Sequence, residues 1–458
     1  MGEGLRSSGL IQWRRWRAWL QATTNRRILA AAIMVGGITF AVSLLVVLKD
    51  LVVAYRFGTA REVDAYLIAW LLPALLLNVL AESFSAALMP TYIAVREADG
   101  EPAARQLLAN ATVWAAGVLV VVSVILGAAS PLVLKLVGAR FEPAELNLTR
   151  TLFLVLLPVL VLNGLATVWS AVLNAGHRFA SAALAGMTVP VAAIACLVVF
   201  GPSWGIVSLA AGTLLGYMLK CVWVAFDLRR RGLWVRPAWN GVTPELRQVI
   251  AQYIPAVGAS LLMGSTLLVD QAMAARLESG SVAALTYGNK VIGFAVTLGS
   301  LSLGTAVLPF FSQMVARKQW AELRRTTRVY TGLILALTIP VTVLLFVFSE
   351  PLVRVLFERG AFSAADTAVV SKVQAFFALQ IPFFLVGTLY VRLTSALRRN
   401  DVLLWGTGIS VVVNVGLNLV FIRWLGVPGI ALSTSAVYLI AMLFLGVSLL
   451  RTIGDRGR

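Results

Sequence analysis

The segment LKDLVVAYRFGTAREVDAYLIAWLLPALLLNVLAESFSAALMP, residues 48–90, is apolar over most of its length and carries a few ionisable side chains. It predicts the end of one membrane-spanning helix, a short turn and a second spanning helix, because a bilayer core requires about 20 apolar residues per helix. A charged side chain at mid-membrane costs about 2.5–3.5 kcal/mol on insertion scales, so such residues usually face a bundle interior or a water-filled cavity. The ionisable residues of the segment that we expect to lie there are Lys49, Asp50, Arg56, Asp64 and Glu82.

The whole chain has the composition of a polytopic membrane protein. Of its 458 residues, 59% are hydrophobic and 13% are charged, and its mean hydropathy is +0.88, whereas a soluble domain is about 25% charged. The apolar runs lack the short alternating pattern of membrane β-strands, so we predict an all-α protein. Its twelve predicted transmembrane helices cover residues 30–56, 62–94, 104–128, 148–174, 179–200, 205–227, 246–275, 282–315, 327–349, 367–397, 402–422 and 428–450.

The formal net charge of +18 resides mainly in alternate connections between these helices. Basic connections mark the cytoplasmic side of a membrane protein and contact anionic lipids, so we interpret this charge as a topology signal and expect no nucleic-acid partner. We predict a multi-pass protein of the bacterial cytoplasmic membrane with both termini in the cytoplasm. Residues 1–27 alternate Trp and Arg and predict a basic helix that lies on the cytoplasmic face.

Few side chains of this chain are suited to metal binding or catalysis. It has two cysteines, Cys196 and Cys221, both inside apolar runs, and one histidine, His177. This composition argues against a disulfide framework, a metal centre and a histidine proton relay. A membrane enzyme would need a large outer loop or a cluster of catalytic carboxylates or histidines, and a nucleotide-hydrolysing pump would need a Gly-rich phosphate loop. We therefore expect no enzyme activity and no cofactor.

Short motifs recur in the two halves of the chain. Pro131-Leu132-Val133 recurs 220 residues later as Pro351-Leu352-Val353, and Leu156-Leu157-Pro158 recurs as Gln380-Ile381-Pro382. Such colinear matches predict two six-helix lobes related by a pseudo-two-fold axis along the membrane normal, with a cavity between them, as in transporters that alternate access. We place the N-terminal lobe at residues 28–228, a basic cytoplasmic linker at 229–245 and the C-terminal lobe at 246–458.

An ordered series of motifs runs through both predicted lobes. It consists of Lys49-Asp50, Arg56-Phe57-Gly58, Asp64-Ala65-Tyr66, Ala81-Glu82-Ser83-Phe84-Ser85, Tyr287-Gly288-Asn289-Lys290 and Phe357-Glu358-Arg359-Gly360-Ala361-Phe362. From about residue 26 to residue 450 the chain thus resembles the MviN/MurJ family of lipid II flippases, in the multidrug/oligosaccharidyl-lipid/polysaccharide exporter superfamily. The resemblance implies a transporter that carries a polyprenyl-diphosphate-linked saccharide, a precursor in cell-wall biogenesis, from the inner to the outer leaflet.

The resemblance also implies which residues hold the substrate. Lys49 and Lys290 take the places of two family arginines that bind the diphosphate, although a lysine lacks the bidentate fork of arginine. For Asp64, near the turn between two helices, a helix N-cap or a gate contact is expected. We predict a substrate site of Lys49, Asp50, Arg56, Glu82 and Lys290, and ion-coupling or gating positions at Asp64, Asp270 and Lys220.

The identity of the saccharide stays open at this point. The family has further arginines before Lys49 and in the second helix, where this chain has Ser43, Leu44, Leu77 and Asn78. We also expect the family's two additional C-terminal helices to be missing. An exopolysaccharide or O-antigen repeat-unit flippase is therefore one alternative, and a multidrug or cation antiporter of the same superfamily is another.

The energy source and the partners follow from the same interpretation. Moving two negative charges outward across an inside-negative potential of about 100 mV gains roughly 4–5 kcal/mol. The membrane potential could therefore drive transport without ATP, and coupling to H⁺ or Na⁺ is the further option. The expected partners are the lipid-linked saccharide and membrane lipids. We expect a monomer, and an association with cell-envelope synthesis enzymes is left open.

Overall fold

The structure, a computed structural model, describes residues 24–138, 141–176, 178–234, 236–397 and 399–456, with side chains described from residue 34 to 300 and from 310 to 454 within those ranges. The interfacial helix predicted at residues 1–27 and the histidine at position 177 lie outside the described residues, except that residues 24–27 begin the first helix. All eight predicted site residues have described side chains.

The described residues are almost entirely helical and include no β-strand, so the all-α prediction is confirmed. A six-residue π-helical segment, Leu77–Glu82, separates α2 from α3. The helices are α1 (Thr24–Phe57), α2 (Arg61–Leu76), α3 (Ser83–Ala98), α4 (Gly100–Val137), α5 (Pro143–Leu156), α6 (Pro158–Ala175), α7 (Phe179–Ala185), α8 (Thr188–Trp204), α9 (Val207–Arg230), α10 (Pro244–Ala274), α11 (Ser281–Ala316), α12 (Trp320–Val347), α13 (Ser349–Phe357), α14 (Ala364–Ala378), α15 (Gln380–Ala396), α16 (Asn400–Leu425) and α17 (Val427–Arg456).

Twelve stretches of the described chain are long and apolar enough to cross a bilayer, and each overlaps a predicted span. Four of them join consecutive helices: α2 with α3, α5 with α6, α7 with α8, and α14 with α15. The nine-residue helix α13 begins at the last residue of the predicted span 327–349 and otherwise lies in a predicted connection, where no helix was expected. The prediction of twelve transmembrane helices is therefore confirmed, with one additional short helix between spans.

Two of the spans are divided at matching positions of the two halves. α5 ends and α6 begins around Leu157, and α14 ends and α15 begins around Leu379. Pro158 is the first residue of α6, and Pro382 is the third residue of α15. Proline has no N–H and its ring clashes with the carbonyl four residues earlier, so each proline interrupts the hydrogen bonding of its span. This common interruption agrees with the repeated motif found in the sequence.

Equivalent helices of the two halves pack in the same way. α9 packs against α8 and α6, and α17 packs against α16 and α15. The halves meet where α10 lies against α2, α3 and α4, and where α11 lies against α1 and α2. This arrangement is what the predicted two-lobe architecture requires. The pseudo-two-fold axis and the lobe boundaries stay predictions. The junction of the halves is where the candidate site lies.

Candidate functional site

A cluster of three charged side chains lies where α1 and α11 meet. Asp50 forms a salt bridge with each lysine: its Oδ1 lies 2.9 Å from Lys49 Nζ, and its Oδ2 lies 2.7 Å from Lys290 Nζ. Lys49 and Asp50 belong to α1, whereas Lys290 comes from α11 in the other half. The Asp50 side chain is 10% exposed, and those of Lys49 and Lys290 are 20% and 28% exposed. The carboxylate is therefore buried, while both lysine side chains are partly accessible.

The two lysines of the cluster have N–H donors that Asp50 does not use. An ammonium group has three donors and no acceptor, and each lysine directs one contact to Asp50. The two cations and one carboxylate carry a net charge of +1. Donors that are not used on Asp50 can bind the oxygens of an anion, and phosphate oxygens make strong charge-assisted hydrogen bonds with lysine. The arrangement is suited to a phosphate-bearing group that competes with Asp50 for the two lysines.

Asp64 joins the two halves by capping a helix that is not its own. Its Oδ2 accepts from Gly280 N and its Oδ1 accepts from Ala283 N, both at 2.7 Å, at the start of α11. The side chain is 1% exposed. A carboxylate at a helix N-terminus pairs with free N–H groups and with the positive end of the helix dipole. Asp64 thus fixes the start of α11 to α2, which is an N-cap formed between the two halves.

A second set of contacts joins the halves beside Asp64. Ala361 N donates to Tyr55 O at 2.8 Å, and Thr59 Oγ1 donates to Asp366 Oδ1. These contacts bring the turn after α1 against the turn before α14. We call the two sets together the seal: residues 55–59 and 64 on one side, and 280–283 and 360–366 on the other.

The charged cluster lies a short way along the helices from the seal. Asp50 is seven residues before the end of α1 and Lys290 is nine residues after the start of α11. The nearest residues of the seal, 55 and 283, are five and seven residues away, so at about 1.5 Å per residue the cluster lies roughly 8–11 Å from the seal. An anion on the two lysines would therefore lie deep in the bundle, with the seal between it and the nearer membrane surface.

Arg56 does not join the charged cluster. Its Nη1 donates to Leu197 O in α8 at 3.0 Å. The guanidinium lies so close to Gly201 that a Cβ there would be 2.7 Å from Arg56 Cζ. Arg56 thus stabilises the packing of α1 on α8 within one half. A role of Arg56 in substrate binding stays a prediction.

Lys220 and Glu82 lie apart from the cluster as well. Lys220 Nζ donates to Asn163 Oδ1 at 2.7 Å and lies 5.9 Å from the centre of the Tyr217 ring. Glu82 ends the π-helical segment, is exposed, and makes no salt bridge with any described residue. Such π-helical turns are frequent at functional sites. The structure gives Lys220 a neutral partner, and the predicted roles of both residues stay predictions.

Asp270 lies in a buried pocket of neutral polar groups. Its Oδ1 accepts from Asn414 Nδ2 at 3.0 Å and from Asn418 Nδ2 at 2.7 Å, and its Oδ2 accepts from Thr434 Oγ1 at 3.0 Å. Asp270 is 6% exposed, and no lysine or arginine among the described residues forms a salt bridge with it. The carboxylate is therefore held by α16 and α17 without a cationic partner.

The geometry can now be compared with known proteins. The family described as "Lipid II flippase MurJ" matches residues 53–455, which is most of the chain. The chain belongs to this MurJ family. The membership makes it a transporter of the multi-pass inner-membrane type, in agreement with its twelve apolar spans.

MurJ proteins of several bacteria resemble the chain over most of its length. The probable lipid II flippase MurJ of Rhizobium meliloti (strain 1021) is 28% identical over 413 residues, which cover 87% of this chain and 76% of that protein. The probable lipid II flippase MurJ of Vibrio cholerae serotype O1 is 27% identical over 451 residues, covering 94% and 84%.

Solved structures show the same fold. Lipid II flippase MurJ in an inward closed conformation matches with a TM-score of 0.78 at 23% identity, over 91% of this chain and 87% of that one. An inward-facing multidrug resistance MATE family transporter of the MOP superfamily matches with a TM-score of 0.73 at 13% identity, over 93% and 99%. The MurJ chain described here therefore has the architecture expected from its sequence motifs.

Sequence reasoning missed several residues that shape this MurJ site. Asn414, Asn418 and Thr434 were not singled out, because neutral polar residues within apolar runs usually serve helix packing. The spacing of Asn414 and Asn418, four residues apart on one helix face, was an available signal. The inter-half partners of Asp64 were not predictable, since they are backbone N–H groups about 220 residues away.

Proposed function

We propose that the protein moves lipid II, a polyprenyl-diphosphate-linked saccharide, from the inner to the outer leaflet of the cytoplasmic membrane by alternating access. The observation that carries the proposal is the Lys49–Asp50–Lys290 cluster, in which each half supplies a cation to one intramembrane site. Family membership favours lipid II over a polysaccharide repeat unit and over a drug or cation antiporter.

In this proposal the diphosphate replaces Asp50 as the partner of the two lysines. A diphosphate offers more negative charge and more acceptor oxygens than one carboxylate, and charge-assisted hydrogen bonds to phosphate are strong. Asp50 keeps the lysines together and partly neutralised in the empty site, which lowers the cost of holding them in the membrane. Once the substrate leaves, the carboxylate recovers both cations and the site is reset.

The seal would close the outer end of this pathway. The positive-inside rule places the basic connections and both termini in the cytoplasm, so the seal faces outward and the site is reached from the inside. Opening the seal would separate Asp64 from α11 and Ala361 from Tyr55 while the halves rock against each other. We take the monomer as the transporting unit, with cell-envelope synthesis enzymes as the candidate protein partners.

The membrane potential is the proposed driving force. The diphosphate carries about two negative charges outward through an inside-negative field, which gains roughly 4–5 kcal/mol at about 100 mV. In the N-terminal half, Glu82 is proposed to contact the substrate, and Lys220 is proposed to act in gating or in ion coupling.

Asp270 is the proposed site of ion coupling to H⁺ or Na⁺. The buried Oδ1 of Asn418 has no hydrogen-bond partner among the described residues. The O and N atoms of an asparagine amide can exchange places by a flip, so Asp270, Asn414, Asn418 and Thr434 can all present oxygen to a hard cation. A proton on Asp270 would neutralise the same carboxylate without any flip.

Depletion of the protein in the bacterium that produces it tests the proposed function. Depleted cells should accumulate lipid II in the inner leaflet, measured by lipid extraction and by its protection from an impermeant outer-face enzyme. Unchanged lipid II pools together with altered dye efflux would show an antiporter instead.

A further inference from the structure

A groove lies along one face of α17, away from the Lys49–Asp50–Lys290 cluster. It has a volume of about 780 Å³, which is within the usual range of ligand sites. Its residues on α17 recur every three or four positions, as one face of a helix requires. They run from Ile440, in the middle of the helix, to Thr452, near its last turn.

The inner part of the groove is apolar and open. Ile440, Leu443 and Val447 are 38%, 54% and 48% exposed, so the other described helices leave a large part of each side chain uncovered. Phe444 lies against α16, where a Cβ on Gly406 would be 3.2 Å from its ring. This part of the groove can therefore take an acyl chain against α17, with α16 as its second wall.

The end of the groove is cationic. Arg451 is exposed and forms no salt bridge with the described residues. Arg399 donates from Nε and Nη2 to both carboxylate oxygens of Asp401, at 2.9 to 3.1 Å. Arg324 Nη2 donates to Ile453 O at 3.2 Å, which adds a third guanidinium beside the same end.

The positive charge of these three arginines exceeds the negative charge of Asp401, the one carboxylate among the described residues that pairs with any of them. A guanidinium has five N–H donors, so Arg399 retains donors after pairing with Asp401. The hydroxyl of Thr452 donates to Ser448 O at 2.9 Å, and its proton is therefore not available to a ligand. An occupant must be anionic at this end and apolar along the rest of the groove.

We propose that this groove binds an anionic glycerophospholipid of the cytoplasmic leaflet. The phosphate pairs with Arg451 and Arg399, and one acyl chain lies along Ile440, Leu443 and Val447. Basic pockets between helices at the cytoplasmic side of a membrane recognise such head groups, and the positive-inside rule assigns the basic end of α17 to that side. The site is separate from the substrate cluster, so its occupancy does not depend on the proposed function.

Native mass spectrometry of the purified full chain tests the proposal, with phosphatidylglycerol and phosphatidylcholine as the two probes. The wild type should retain one phosphatidylglycerol more strongly than phosphatidylcholine. Arg399→Gln with Arg451→Gln should weaken phosphatidylglycerol binding at least about tenfold, because two charge-assisted contacts are lost. Arg325→Gln, which removes an exposed arginine outside the groove, should leave binding unchanged.

A second pair of variants separates the groove from general surface charge. Val447→Trp should fill the apolar part and weaken phosphatidylglycerol binding, whereas Val412→Trp, at an exposed position of α16, should not. The proposal is overturned if the double arginine variant or Val447→Trp binds phosphatidylglycerol as the wild type does. It is also overturned if a polyprenyl phosphate displaces the phospholipid, since the groove would then hold the substrate's tail. Equal thermal unfolding of all variants shows that they are folded.

Discussion

Asp50 holds together two lysines that belong to different halves of the chain. In the proposed mechanism this carboxylate competes with the diphosphate for both cations. A hydrogen bond to a charged partner contributes about 1–2 kcal/mol more than one to a neutral partner, so the competition is strong enough to set the affinity. We therefore expect the charge of this residue to affect both binding and release.

Replacing Asp50 by asparagine should shift this balance toward the bound substrate. We expect Asp50→Asn to bind lipid II about tenfold more tightly, since the competing charge is gone, and to flip it more slowly, since release is no longer assisted. Binding is measured with the purified protein and flipping in proteoliposomes. Asp227→Asn, which removes a carboxylate salt-bridged to Arg231 instead, is the control. Weaker binding by Asp50→Asn would contradict the assignment.

Individual charged residues of the spans were identified from the sequence, but their partners were not. Hydropathy identifies Lys49, Arg56 and Asp270 as candidates but does not distinguish their roles, because each is a charged residue in an apolar run. The structure separates them: Lys49 lies in the inter-half cluster, Arg56 binds a backbone carbonyl, and Asp270 binds three neutral donors. Such differences depend on contacts between distant helices, which one sequence does not supply.

The spans themselves were predictable because the bilayer imposes a length and an apolar composition on each helix. α13 was missed because it has only nine residues and carries Glu350 and Arg354. Of the seal, only Asp64 was singled out, as an N-cap or gate contact. The rest was missed because it consists largely of turns, and turn geometry depends on single residues such as Gly360. The elements were thus predictable where the membrane constrains them, and not where a loop contacts another loop.

Gly360 tests whether the seal is needed to close the transporter. Its φ is +63°, and a Cβ there would be 2.2 Å from Tyr55 O. The left-handed conformation costs a non-glycine residue about 1–2 kcal/mol. Because this strain and the close Cβ contact both act on the seal, Gly360→Ala should open the seal at least about tenfold more often. Val63→Cys, at a position that is 1% exposed in α2, then reacts faster with an impermeant thiol reagent.

Gly232 provides the matched control for this substitution. Its φ is +69°, and nothing lies within 4 Å of the position that a Cβ would take. Gly232→Ala therefore carries the same backbone strain without the contact, and it should leave labelling of Val63→Cys unchanged. Both are measured after Cys196 and Cys221 are replaced by serine. Equal labelling rates in the Gly360→Ala and Gly232→Ala backgrounds would show that the seal does not depend on this close approach.

For the molecule as a whole, two energy sources are proposed to act at different places. In this proposal the membrane potential acts on the diphosphate between the halves, and an ion gradient would act through the pocket around Asp270. Because the carboxylate has no cationic partner among the described residues, its charge is the part of the pocket that an ion can neutralise.

Asp270→Asn should therefore remove the dependence of flipping on a Na⁺ or H⁺ gradient while the response to an imposed potential remains. The measurement is lipid II flipping in proteoliposomes with the potential and the two gradients set independently. Asp227→Asn should keep both responses. If Asp270→Asn still responds to the gradients as the wild type does, the pocket has no part in coupling.

The two-cation site is the central claim, and flipping of lipid II by purified protein in proteoliposomes tests it most directly. Lys49→Ala and Lys290→Ala should each lower the flipping rate at least about tenfold at unchanged protein level, because each removes a charge-assisted contact to the diphosphate. Lys372→Ala, at an exposed position of α14, should flip at the wild-type rate. Wild-type flipping by both Lys49→Ala and Lys290→Ala would contradict the account.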